Sequence, residues 1–312
     1  MGYHKELEII QHTKMNSLEL FLVEIISRNP HGHDDLELGL VLEGNVKLFT
    51  GQKSYLLQPG DVYVINRHQI HSLFAESGHN KILSCQIRTD FYRQVDYSLG
   101  HLWFEDTVLH DHPVLDDLRP LFLQCADFYF RSVPFASFKC SGLVLDILYQ
   151  LSSHLGCHIS SEKESASAYH NTMRLMRIMD YVNTHYTEQI TLKDLAQMEH
   201  VSDYYISHFI RKMLGISFQE YLNGLRFRHA LTLMDKTDLK ILDVCMESGF
   251  SSSRYLNQMF EKHFRCTAKE YRNKKDRTPV SVLPLFADTA VQKKYDDQQA
   301  VHYIELYQNT RL

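Results

Sequence analysis

His31, His33 and Glu37 stand in the run HGHDDLELGLVLEG, and a second run, PGDVYVINRHQIH, adds Tyr63 and His71. Three imidazoles and a carboxylate are the donor set of an Fe, Mn, Zn or Ni site. Side chains alternate along a strand with period two, so His31, His33 and Glu37 have the same parity and are expected on one face. The same residues suit another chemistry. His31, His33, Glu37, Tyr63 and His71 could line a pocket that hydrogen-bonds a sugar or other polar metabolite. They could also be core groups satisfied by one another. The pocket or scaffold reading is taken over the metal one. Elsewhere the chain has no GxGxxG, no phosphate loop, no GxSxG and no HExxH. The chain is therefore expected not to be an enzyme, and no cofactor is assigned to it. The alternative is a metal-dependent enzyme with a helical appendage.

The elements that must position these residues are short strands. LFLVEII, LELGLVLEG, VKLFTG, VYVINRHQIHSLF and KILSCQI are rich in β-branched and aromatic residues and are punctuated by Gly, Pro and Asn. Gly44, Gly51 and Gly60 are read as turns between them. Strands at such close intervals predict an antiparallel barrel or sandwich. From Val114 the apolar spacing becomes helical. GCHISSEKESASAYHNT is small and polar and reads as a linker. The chain beyond it is helical to about Lys275. The expected organisation is α+β and multidomain: a barrel of the jelly-roll type with helices over 1–158, a linker over 159–170, an all-α domain over 171–277, and an extension over 278–312 with no assigned role.

The 312 residues suffice for about two domains. The net charge of −5 conceals an asymmetry: residues 1–169 carry 13 Lys and Arg against 21 Asp and Glu, whereas residues 170–277 carry 17 against 13. A polyanionic partner is expected for the second part only. No apolar run is long enough for a membrane span, and MGYHKELEIIQHTKMN is not a signal peptide. Six cysteines without paired spacing read as reduced thiols of a cytosolic protein.

Residues 190–272 contain a repeat. LKDLAQMEHVSDYYISHFIRKMLGIS aligns with ILDVCMESGFSSSRYLNQMFEKHFRCT, with one extra residue in the second turn. Each copy is a short helix, a tight turn with Ser as N-cap, and a longer helix: a helix-turn-helix, twice. Ile206, Phe209, Ile210 and Met213 form the inward stripe of the first long helix, and Leu256, Met259, Phe260 and Phe264 that of the second. The outward faces carry Tyr204, Ser207 and His208 in one copy and Arg254, Asn257 and Gln258 in the other. Such side chains read base edges in a major groove. Arg211, Lys212 and Lys262 are placed to meet phosphate.

These residues resemble a known family. TLKDLAQ, the stretch from Val201 to Met234, and GFSSSRYLNQMFEKHF are similar to the DNA-binding domain of AraC/XylS-type transcription regulators. The resemblance covers nearly all of the second domain. It implies two helix-turn-helix units on one connecting helix, inserted in successive major grooves. The family usually has Ile-Ala where Val244 and Cys245 stand, Gly and Pro where Arg265 and Ala268 stand, and Pro where Phe218 stands. The first domain resembles the cupin-type domains with which such regulators sense small molecules and dimerise. His31, His33, Glu37 and Gly44 match the first cupin motif, and Pro59, Gly60, Asp61 and His71 match part of the second. The implied partners are promoter DNA, a small-molecule effector, a second copy of the chain and, at the promoter, RNA polymerase. Leu118, Leu121, Phe122, Leu143, Leu145 and Leu148 either form the dimer surface or pack on their own barrel.

Overall fold

A computed structural model describes residues 12–273 and 291–311. By packing, one unit runs to Met173 and takes in the segment from residue 291 onward; the other begins at Arg174.

The first unit is built on a seven-stranded antiparallel sheet. Its strands are β1 (Leu18–His31), β2 (Leu36–Thr50), β3 (Lys53–Leu57), β4 (Val62–Ile65), β5 (His71–Ile87), β7 (Val108–Leu109) and β9 (Val291–Lys294), with the short pair β6 (Leu102–Phe104) and β8 (Cys157–Ile159) apart from it. The order is β7-β4-β2-β5-β1-β9, and β3 pairs with β2. Strand alternation divides the apolar residues between two faces. Leu20, Leu22, Leu38, Leu40, Leu83 and Cys85 face a core shared with helices α2 (Leu115–Arg131) and α3 (Ala136–His154), which follow the short α1 (Thr89–Arg93). Val23, Ile25, Val41, Tyr63, Leu73 and Ile82 form a second cluster on the concave side.

Two expectations change here. The stretch read as a linker is helical: α4 runs from Glu162 to His185 without a break. Its start is fixed by Ser161 and Glu164. The carboxylate accepts from the Ser161 amide at 2.7 Å, and the Ser161 hydroxyl accepts from the Glu164 amide at 3.3 Å. That is a capping box, masked in the sequence by the serine-rich composition around it. The extension, beyond residues 278–290, which lie outside the described residues, returns to the barrel. β9 pairs with β1, and α11 (Asp297–Arg311) buries Ala300 and Ile304 in the core beside α2, with Glu305 bound by Arg131.

The second unit takes the C-terminal part of α4 and adds α5 (Leu192–Met198), α6 (Asp203–Leu214), α7 (Phe218–Lys236), α8 (Ile241–Glu247), α9 (Ser253–Phe264) and α10 (Ala268–Asn273). Pairs α5–α6 and α8–α9 are the two copies of the repeat, and α7 connects them. Thr191–Asp194 and Ser217–Glu220 make capping boxes at the starts of α5 and α7. Ser202 caps α6 through the Tyr205 amide, whereas Ser252 stands at the same place before α9 without a side-chain cap. Buried Arg226 on α7 donates to the carbonyls of Tyr186 and Glu188, both at 2.7 Å, and so ties the connecting helix to the end of α4.

Candidate functional site

In the barrel the five candidate residues converge. His31 ends β1, His33 lies in the turn that follows, Glu37 begins β2, Tyr63 is on β4 and His71 opens β5 opposite His31. His31, His33 and Glu37 do not share a face through the parity of one strand. The chain turns between His31 and Leu36, and the turn itself brings His33 back to the others. The ring centroids of His31 and His71 are 4.2 Å apart, and those of His33 and His71 are 5.2 Å apart.

Each histidine is oriented by a main-chain carbonyl two residues away. Nδ1 lies 2.8 Å from Asn29 O in His31, 2.8 Å from Asp35 O in His33 and 3.0 Å from Gln69 O in His71. A carbonyl only accepts, so Nδ1 carries a proton in all three. His33 then also donates through Nε2 to Glu37 Oε2 at 3.0 Å, which makes this contact a buried ion pair. Glu37 further accepts from the Tyr63 hydroxyl at 2.9 Å and from the Gln86 amide at 3.0 Å. Burial alone would raise the Glu37 carboxyl, but the His33 hydrogen bond and the neighbouring imidazole charges outweigh it and hold the group well below the usual carboxylate range. Burial pushes His31 the other way, well below an ordinary histidine, and the adjacent His71 and Arg28 add to it. Tyr63 reaches Glu37 because its ring crosses Gly39: a Cβ there would lie 2.1 Å from the ring.

Ligand atoms of His31, His33 and His71 lie within 4.8 Å of one another, so these three, with Glu37 beside them, are the residues that would hold a divalent ion. Their donor types fit one. Arg28 Nε opposes it, at 3.4 Å from His31 Nε2, and His33 would have to surrender its Nε2 proton. Around the cluster is a small cleft open to solvent. Phe21, Val23, Ile25, Leu73 and Ser84 complete its walls, with Arg28 from β1, Gln86 from β5, and Gln292 and Lys294 from β9. The sequence reading missed the last four. Gln86 and Ser84 carry the only local signal: they share a parity on β5.

In the helical unit the inward stripes stand as expected: Ile206, Phe209, Ile210, Leu256 and Phe260 are buried, and Met213, Met259 and Phe264 are half-buried. Tyr204, Ser207, His208, Arg211 and Lys212 are exposed on α6, and Arg254, Gln258 and Lys262 on α9. The Tyr204 and His208 rings lie 4.9 Å apart. Asn257 differs from its neighbours. It is half-buried, and its Oδ1 accepts from the Ala268 amide at 2.9 Å, so it caps α10.

Of the six residues considered for a dimer surface, Leu118, Phe122, Leu143 and Leu148 are buried in the core of their own barrel unit, and Leu121 and Leu145 are half-buried. The apolar groups that α3 and the turn before it do expose are Val133, Phe135, Phe138 and Tyr149.

Comparison with known proteins bears on both units. A family model described as an AraC-like ligand binding domain matches residues 26–125, and one described as a helix-turn-helix domain matches residues 195–274. YijO of Escherichia coli K12, an uncharacterized HTH-type transcriptional regulator, is 34% identical over 126 residues, 40% of this chain and 44% of that one. An HTH-type transcriptional regulator of Staphylococcus aureus MRSA252 is 22% identical over 275 residues, 87% of this chain. The chain spans about a third of that relative's length, 35%. Among solved structures, ToxT of Vibrio cholerae is 15% identical with a TM-score of 0.36, over 83% of this chain and 98% of that one. The C-terminal domain of the response regulator yesN from Fusobacterium nucleatum is 33% identical with a TM-score of 0.30, over 31% of this chain and 94% of that one. The Escherichia coli and Staphylococcus aureus relatives are both named as HTH-type transcriptional regulators. No helix among the described residues is long and apolar enough to cross a membrane.

Proposed function

Because this chain belongs to the AraC type of helix-turn-helix transcription regulators, we propose that its helical unit reads promoter DNA and that its barrel binds a small-molecule effector controlling that activity. The observation that carries the first half is the repeat itself. Two helices of one unit, α6 and α9, bury matched apolar stripes and expose matched polar faces. Tyr204, Ser207, His208, Arg254, Asn257 and Gln258 are the base-reading groups, with Asn257 the least exposed of them. Arg211, Lys212 and Lys262 meet phosphate. Direct readout is worth about 1–3 kcal/mol per good side-chain–base pair, whereas loss of a phosphate contact weakens binding to all sequences alike.

The second half rests on the cavity over the histidine cluster. A sugar is the first class to weigh, and the polar floor is what it would meet. A carboxylate has about four acceptor positions, and three donors of this chain already occupy Glu37. Glu37 is thus left with about one acceptor position for a ligand.

Selection from a random duplex library supplies the specific site for the test. Arg254→Ala and His208→Ala are expected to weaken binding to that site by about tenfold or more, with a smaller loss on random duplex of equal length at the same salt. Equal losses on both would overturn base reading. Lys262→Ala is expected to weaken both alike and to flatten the salt dependence.

A further inference from the structure

The two copies of the helix-turn-helix repeat bury equivalent stripes and expose different chemistry. With the copies aligned, Tyr204 of α6 stands where Arg254 of α9 does, His208 where Gln258 does, and Lys212 where Lys262 does. Tyr204 and His208 are four residues apart, as are Arg254 and Gln258, so each pair projects from one face of its helix. In α6 that face is aromatic. Tyr204 and His208 are exposed, and their rings lie 4.9 Å apart. The adjacent Tyr205 is engaged elsewhere: its hydroxyl accepts from the Arg174 guanidinium at 2.7 Å, and its ring stacks on Phe209. In α9 the face is polar. Arg254 and Gln258 are exposed, and among the described residues no hydrogen bond or ion pair engages their side chains. Asn257 beside them is held by the Ala268 amide.

Position separates base readers from phosphate binders. The N-terminal residues of a recognition helix meet base edges. Tyr204 and Arg254 lie in the first turn of their helices, whereas Lys212 and Lys262 lie toward the C-terminal ends. A major groove then offers the two faces different partners. Guanine presents two acceptors, O6 and N7, which match the fork of a guanidinium. Thymine presents one acceptor, O4, beside its C5 methyl group. An aromatic ring covers such a methyl while the polar atoms at its rim reach the acceptor. We propose that the two helices read different bases: α9 reads guanine through Arg254, and α6 reads thymine through the ring pair of Tyr204 and His208. This inference rests on the reading of the helical unit as a DNA reader. Its consequence is a site with direction. One chain carries a guanine reader and a thymine reader in fixed order, so the sequence it recognises is not a palindrome.

The test uses the full chain and duplexes carrying the site selected from a random library. Replacing guanine by 7-deazaguanine removes N7 and keeps base pairing. Replacing thymine by deoxyuridine removes the methyl group alone. At one guanine of the site, 7-deazaguanine is expected to weaken the wild type by about tenfold, and Arg254→Ala is expected to bind the two duplexes alike. At one thymine or more, deoxyuridine is expected to weaken the wild type by about fourfold, the burial of one methyl-sized group, and Tyr204→Ala is expected to bind those two duplexes alike. Each variant is expected to keep the other's sensitivity, which also shows that it is folded. A wild type indifferent to 7-deazaguanine at every guanine, or an Arg254→Ala variant that keeps the loss, would overturn the guanine assignment. Indifference to deoxyuridine at every thymine, or a Tyr204→Ala variant that keeps the loss, would overturn the thymine assignment. A library that yields no duplex bound more tightly than random sequence at the same salt is a separate failure: it overturns base reading itself, and both assignments with it.

Discussion

At the scale of single residues, the barrel floor is an arrangement of protons. Three Nδ1 atoms are committed to carbonyls, and one Nε2 is committed to Glu37. The consequence is a pH dependence with two parts. His31 has a depressed affinity for protons in the folded state, while the unfolded chain takes one up near pH 6.5. Its contribution to stability is therefore intact above about pH 6.5 and is lost as pH falls through the folded value. Glu37 is depressed as well, so its contribution is intact above about pH 4.3 and is lost only at lower pH. Urea midpoints measured between pH 7.5 and 5.5 are expected to fall in the wild type and to fall less in His31→Gln. Parallel slopes would show that His31 takes up its proton in the fold as readily as outside it. The convergence of His31, His33, Glu37, Tyr63 and His71 was legible from residue type and spacing, although the expected reason, one strand face, was not the actual one. Gln86 and Lys294 were not legible. A polar residue at alternate strand positions looks the same whether it faces water or a cavity, and the partner strand of Lys294 lies some 270 positions earlier in the chain, Val23 opposite Lys294.

At the scale of elements, the two helix-turn-helix copies end differently. α6 closes on Gly215 at φ 77°, and α9 closes on Arg265 at φ 52°, both in the left-handed region. Glycine enters that region freely, whereas an L side chain meets its own carbonyl there. Arg265→Gly is therefore expected to stabilise the helical unit by roughly 0.5–1 kcal/mol, read from chemical denaturation. An unchanged or lower stability would mean that the Arg265 side chain contributes more than its backbone costs. The helices of this unit were readable because their signals are local: an apolar stripe at helical spacing, a capping residue, a repeat about 50 positions on. The start of α4 was readable on the same terms through Ser161 and Glu164. It was lost because a polar, small-residue composition outweighed one capping pattern.

For the whole molecule, the question is how many copies bind together. Four of the six residues first considered for a dimer surface are buried in their own core, whereas Leu145 is half-buried on the outer face of α3. Phe138, Gly142, Leu145 and Tyr149 follow one another at helical spacing on that face. Phe138 is 79% exposed and Tyr149 70% exposed, and a Cβ on Gly142 would meet open space. If two copies pair there, Phe138→Asp is expected to convert a dimer to a monomer by light scattering, with the circular dichroism unchanged. A variant that stays dimeric would place the contact elsewhere. The route of the chain has one more consequence, for synthesis. Ribosomes add about 5–20 residues per second, and domains fold as they emerge. The helical unit is therefore complete in sequence before Gln292 and Lys294 leave the ribosome, and the barrel cannot close its last edge until they do. A newborn chain therefore completes its helical unit first and the β9 edge of its barrel last.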